Sequence, residues 1–308
     1  MNNPAHTKFR GIITLLVTPL IDNDTLDRNG LERLIEHTIA GGVSGLFILG
    51  TTGEFPGLSH SLKHELIELT CGLVNKRVPV MVGISDTSFT ETVHMASLAE
   101  THGADAAVVT APYYFNISQK DMLLYLKNLL ARIALPVFLY NMPVQTKFVF
   151  EAETVKEASN IPGIIGMKDS SSDLAYFKQI QHLFNDPNDF ICMIGPEEIM
   201  PEFVLMGGHG GLNGGSNMFP RLFVDLYKAS VDRDFDKIVP LQKKVIQISS
   251  TIYRVGDPKS SYLRGLKCAL SLLGLCGDVL AEPLHKFGKE EKNTIQKFLD
   301  DLNYRDLI

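Results

Sequence analysis

Lys168 closes the apolar run Ile164-Ile165-Gly166-Met167 and is followed by Asp169 and Ser170. An ammonium held among apolar walls loses hydration, its pKa falls, and the neutral amine can add to a carbonyl to form an imine. An ordinary lysine is neutral in only about one molecule in 2,500 at pH 7, so that chemistry requires such surroundings. The plain alternative is a lysine that reaches solvent or pairs with Asp169. Tyr140 closes another apolar run 28 residues earlier. A phenol at the same level can relay protons, and a half-buried tyrosine with a satisfied hydroxyl is its plain alternative. The turn Gly50-Thr51-Thr52-Gly53-Glu54 offers two hydroxyls and several N–H groups between glycines. Such a nest can hold a carboxylate without a cation, and a tight turn with a threonine helix cap is its plain alternative. It is no phosphate loop, because the spacing and the following Lys-Ser/Thr are absent. The run Gly207-Gly208-His209-Gly210-Gly211 and the pair Gly214-Gly215 fail GxGxxG, and His209, with no His or Cys partner at metal spacing, reads as structural.

These residues need elements that bring them to one place. Short apolar runs alternate with helical patterns along most of the chain. The expected strands are Gly11–Val17, Gly45–Leu49, Val78–Val82, Ala106–Thr110, Val137–Tyr140, Ile164–Lys168, Phe190–Ile194 and Gly210–Asn213. Leu62, Leu66, Leu69 and Leu73 recur at helical spacing, as do Met122, Leu126, Leu129 and Ile133. Ser118 and Asp121 read as a capping box opening the second of these helices. Strands that are apolar without clean alternation suit a parallel sheet covered on both faces. Eight such units with no second sheet point to an α/β fold, a single (β/α)8 TIM barrel. In that fold the catalytic side chains stand at the C-terminal ends of the strands. Phe219–Ser230, Phe235–Tyr253, Lys259–Leu273 and Lys289–Leu302 read as helices. The expected division is residues 1–225 for the barrel carrying the active site and 226–308 for a C-terminal helical extension packed on it as one folding unit.

Composition sets the outer limits. With 308 residues, 45% of them apolar, the chain has material for one barrel and an extension. A net charge of −6 with scattered Lys and Arg gives no basic face, so no nucleic-acid partner is expected. Cys71, Cys192, Cys268 and Cys276 make no CxxC pair, which points to a reducing compartment. The polar stretch Met1 to Arg10 has no apolar leader, and no apolar run reaches the ~20 residues needed to cross a bilayer. A soluble cytoplasmic protein without a membrane partner is expected.

Together the Gly50–Glu54 turn, the segment Tyr140-Asn141-Met142-Pro143 and the strand end Gly166-Met167-Lys168-Asp169-Ser170 resemble the dihydrodipicolinate synthase / N-acetylneuraminate lyase superfamily. The resemblance runs from about Gly11 through the C-terminal helices. It implies a class I aldolase-type lyase in a TIM barrel that needs no cofactor and no metal, because the imine supplies the electrophile. Its partners would be a small 2-oxo acid such as pyruvate and an aldehyde. Residue by residue, it implies Lys168 as the Schiff-base lysine and Tyr140 as the acid/base. It implies Thr51 and Thr52 as the carboxylate-binding pair, with Gly53 in the same turn and Thr51 also in the proton relay. Tyr114 would reach across a dimer interface into a neighbouring site, with Tyr113 packed at that interface. Gly195 and Leu212 would lie near the bound pyruvate. A homotetramer built as a dimer of dimers is implied, or a dimer.

The departures bear on substrate. Where the synthases carry an arginine after Tyr-Asn-x-Pro, this chain has Val144-Gln145-Thr146, and Gln145 brings no charge to a second carboxylate. Gly195-Pro196-Glu197-Glu198 also departs from the usual Gly-Asp-Asp, and Tyr114-Phe115-Asn116-Ile117-Ser118 lacks the usual Pro-Ser/Thr. An uncharged Gln145 contacting a polyhydroxylated tail leads us to expect a 2-keto-3-deoxy sugar acid aldolase, cleaving its substrate to pyruvate and an aldehyde. The alternatives are 4-hydroxy-tetrahydrodipicolinate synthase, a 2-keto-3-deoxy acid dehydratase, and a non-catalytic relative that binds a 2-oxo acid.

Overall fold

The computed structural model describes residues 8–307. Eight parallel strands close into a barrel: β1 (Gly11–Leu15), β2 (Gly45–Ile48), β3 (Val80–Gly83), β4 (Ala106–Thr110), β5 (Val137–Asn141), β6 (Ile164–Asp169), β7 (Ile191–Ile194) and β8 (Gly210–Asn213). Strand β1 pairs with both β8 and β2, which closes the ring. One face of each strand meets the barrel interior and the other meets a helix, so every strand residue except Ile165 is buried. That double burial explains the continuous apolar runs. Inward-pointing Ile13, Phe47, Met81, Val108, Phe138, Ile191 and Leu212 fill the barrel as a packed core. Phe9 closes the N-terminal end, its ring meeting Phe138 edge-on at 5.2 Å.

The helices of the outer ring are α1 (Arg28–Ala40), α2 (His60–Val74), α3 (Phe89–Thr101), α4 (Gln119–Leu130), α5 (Ala152–Ser159), α6 (Leu174–His182), α7 (Met200–Leu205) and α8 (Pro220–Asp232). Side chains of Asp27, Ser59, Ser88, Ser118 and Asp173 accept first-turn N–H groups and fix where α1, α2, α3, α4 and α6 begin. The capping box of Ser118 and Asp121 is formed in both directions. Helices α9 (Phe235–Thr251), α10 (Ser261–Leu272) and α11 (Lys289–Asp301) make up the C-terminal extension. Helix α8 runs across residue 225, where the boundary was expected.

Two differences from the expected elements are local. A short antiparallel ribbon, Leu20–Asp22 with Thr25–Leu26, follows β1, too short for hydrophobic periodicity to register. Its turn is tied by Asp22, which accepts from Asp24 N at 3.0 Å and from Thr25 Oγ1 at 3.0 Å. The helix expected to reach Tyr253 stops at Thr251 and tightens into a 3₁₀ turn over Ile252–Arg254. Among the described residues no helix is long and apolar enough to cross a membrane.

Candidate active site

The barrel register sets Tyr140 of β5 directly beside Lys168 of β6. Both side chains point inward at the top of the barrel, and Lys168 is only 2% exposed. Its Nζ stands 4.0 Å from the centre of the Tyr140 ring and 5.3 Å from that of Phe47. Successive strand residues face opposite ways, so Asp169 turns from the barrel axis. There it accepts from Asn141 Nδ2 at 2.8 Å and from Ser171 Oγ at 2.8 Å. The plain readings of Lys168, solvent or an ion pair with Asp169, are therefore not what the chain adopts. Desolvation pulls the Lys168 pKa below its ordinary value, with Tyr140 and Asp169 opposing that pull. Burial alone would raise the Tyr140 phenol. The neighbouring Lys168 charge and hydrogen bonds from Thr51, Lys168 and Ser170 outweigh it, and the net shift is downward. Gly195 leaves room for this pair, since a Cβ there would stand 2.2 Å from Ser170 Oγ and 3.3 Å from Lys168 Cε.

The Gly50–Glu54 turn comes to the same place. Leu49 enters it with a left-handed backbone at φ 57°, and Glu54 leaves it at φ 60°. Such conformations cost on the order of 1 kcal/mol each in non-glycine residues and persist only where the surroundings hold them. Here Leu49 is buried, and Thr18 Oγ1 donates to the Gly53 carbonyl at 2.7 Å. Glu54 forms a fully buried ion pair with Lys267 of α10, and its Oε2 accepts from Ala281 N at 2.9 Å. The turn is thus pinned to the extension. Thr51 Oγ1 lies 3.3 Å from Tyr140 Oη, and Thr52 Oγ1 lies 3.1 Å from Tyr262 Oη.

Above the turn opens a cavity of about 480 Å³, within the range of small-molecule sites. Thr51, Thr110, Tyr113, Gln145, Lys259 and Tyr262 are among its walls. Lys168 and Tyr140 are not, so Thr51 stands between the open cavity and the buried pair. Of the residues expected at the site, Lys168, Tyr140, Thr51, Thr52, Gly53 and Gly195 come together, and Gln145 lines the mouth on the helical turn Pro143–Thr146. Leu212 is fully buried in the barrel interior, in one cluster with Tyr140 and Phe47. Tyr113, expected at a subunit interface, lines this cavity and meets the Phe55 ring edge-on at 6.1 Å. Tyr114 stands apart from its own chain's site, 80% exposed beside Phe115 at 77%. His209 does structural work, its Nδ1 accepting from Cys192 N at 3.1 Å.

Three residues of this region escaped the sequence reading: Tyr262, Lys259 and the ion-pair partner Lys267. Tyr262 is 210 residues from Thr52, and nothing in one sequence marks so distant a pairing. Glu197 was noticed only as a departure. It is buried, its Oε2 accepts from Gly215 N at 2.8 Å, and its Oε1 has no hydrogen-bond partner among the described residues. Burial, with repulsion from Glu198, pushes this carboxyl up to about 7. A carboxyl raised on folding binds a proton that the unfolded chain has released, so its stabilising contribution is lost as pH rises from about 4.5 to 7. The Tm of the native chain should therefore fall relative to that of Glu197→Gln across this interval. Parallel melting curves check it, and a constant difference in Tm would refute the assignment.

Against known proteins, the family model described as "Dihydrodipicolinate synthetase family" matches residues 8–302. A 4-hydroxy-tetrahydrodipicolinate synthase of Bartonella quintana is 31% identical over 292 residues, covering 94% of this chain and 97% of that protein. The structure of a dihydrodipicolinate synthase from Bacteroides thetaiotaomicron is 52% identical with a TM-score of 0.93, covering 98% and 100% of the two chains. That of YagE, a prophage protein of E. coli K12 from the dihydrodipicolinic acid synthase family in complex with pyruvate, is 29% identical with a TM-score of 0.90, covering 96% and 99%.

Proposed function

The chain belongs to the dihydrodipicolinate synthetase family, a family of class I lyases, and from that premise we propose that it joins pyruvate to an aldehyde through an imine on Lys168, as a 4-hydroxy-tetrahydrodipicolinate synthase does. The observation that carries the chemistry is the burial of Lys168 against Tyr140 with Thr51 on the cavity side. The neutral amine adds to C2 of pyruvate, and loss of water leaves a protonated imine. That imine withdraws electrons, a C3 proton leaves, and the resulting enamine attacks the aldehyde carbon. Hydrolysis then returns the amine. Tyr140 moves the protons of carbinolamine formation and collapse, and Thr51 hands them to the cavity. The Gly50–Glu54 turn holds the pyruvate carboxylate with the hydroxyls of Thr51 and Thr52 and its N–H groups.

The names of the relatives support the synthase reading over the sugar acid aldolase expected from the sequence. One observation keeps the aldolase as a second reading. The uncharged Gln145 lines the mouth where the synthases place an arginine. Assembly as a dimer of dimers belongs to the proposal, with the exposed Tyr114 completing the relay in a second copy.

Borohydride reduction with pyruvate, followed by peptide mass mapping, should place an adduct on Lys168. No adduct on a folded enzyme would sink both readings. Initial rates then separate them. Faster turnover of pyruvate with aspartate semialdehyde supports the synthase, and faster cleavage of 2-keto-3-deoxy sugar acids returns the aldolase.

A further inference from the structure

We propose that Tyr262, brought to the barrel mouth by the C-terminal helix α10, positions the Thr52 hydroxyl for the carboxylate of the 2-oxo acid. This rests on the reading above that the Gly50–Glu54 turn holds that carboxylate.

The geometry is that of a built contact. Thr52 is 4% exposed, and Tyr262 Oη at 3.1 Å is its hydroxyl partner. A Cβ on Gly214, just after β8, would stand 1.9 Å from Tyr262 Oη, so the chain leaves this place bare for the phenol to enter. The backbone of Gly214, at φ −79°, is one that any residue adopts. Room for Tyr262 is therefore the service this glycine performs. Tyr253 backs the phenol, its ring edge-on to that of Tyr262 at 4.8 Å.

Either hydroxyl of this pair can donate. With Tyr262 as the donor to Thr52 Oγ1, the Thr52 proton is left to point at an anion. Thr51 and Tyr140 form a parallel pair on the other side of the turn. One pair handles protons at the reacting carbon and the other fixes the carboxylate.

A positioning residue of this kind affects binding more than chemistry. For Tyr262→Phe, which removes one oxygen and keeps the ring, KM for pyruvate should rise about 10-fold, the scale of one hydrogen bond. The kcat, and trapping of Lys168 at saturating pyruvate, should stay within about 2-fold. Gly214→Ala, which drives the phenol out while leaving Tyr262 in the sequence, should give the same split. A native KM in Tyr262→Phe, or a fall in kcat with KM unchanged, overturns the inference. Equal losses in both with a lowered Tm would assign Tyr262 to structure alone and overturn it too. If the native enzyme traps no pyruvate, the underlying reading fails first and this one with it. A native adduct beside an unchanged Tyr262→Phe KM overturns this inference alone.

Discussion

Lys168→Ala should give no borohydride adduct with pyruvate and a turnover lower by at least about 10⁴-fold, the scale seen when a covalent nucleophile is removed. No second lysine can take over, because the amine must be both desolvated and within reach of Tyr140. Lys259 at the cavity wall is exposed. Lys168→Met, which keeps the side-chain volume, should be equally inactive yet more stable than the native chain near pH 7. The native amine is costly to charge inside the barrel, and its depressed pKa means that the unfolded chain holds more protons. Native stability should accordingly rise with pH as the amine discharges, and the Met variant should lack that component. Residual turnover in Lys168→Ala would end the imine mechanism. A Met variant less stable at every pH would show that the site does not strain the fold.

Tyr140→Phe should retain the fold and lower kcat by roughly 10²-fold or more, the usual contribution of a positioned acid/base. The variant loses the bond to Thr51 and also the group that most opposes the fall in the Lys168 pKa. Lys168 should then be neutral at lower pH than in the native enzyme. The acid limb of pyruvate trapping moves down in pH while turnover falls. Measuring both in the same buffers distinguishes loss of proton transfer from loss of the nucleophile. An unchanged kcat would remove Tyr140 from the mechanism.

How much of this was legible in advance follows from the range of the interactions. The eight strands were readable because each carries its own signal, an apolar run a few residues long bounded by turns. Lys168, Tyr140 and the Gly50–Glu54 turn were readable because a barrel places every strand end on one rim. What lies off that rim was not. The phenol of Tyr262 reaches Thr52 from a helix whose pattern shows only which side is apolar. Tyr113 sits beside Tyr114 in the chain, yet one turns into the cavity and the other to solvent. No single-sequence period fixes that choice. Leu212 was expected near the pyruvate by resemblance, and alternation along β8 turns it into the barrel interior, in one buried cluster with Tyr140 and Phe47.

The burial of Glu54 between Lys267 and Ala281 sets an order of events during synthesis. A ribosome releases the chain from its N-terminus, and β8 ends at Asn213. About 70 further residues must emerge before both partners of Glu54 exist, which at ordinary elongation rates takes roughly 3 to 14 s. Through that interval the nascent chain already contains every barrel strand and Lys168. It lacks the anchor that holds the Gly50–Glu54 turn in its left-handed path. A growing chain therefore holds all eight barrel strands well before the partners that anchor Glu54 have been made.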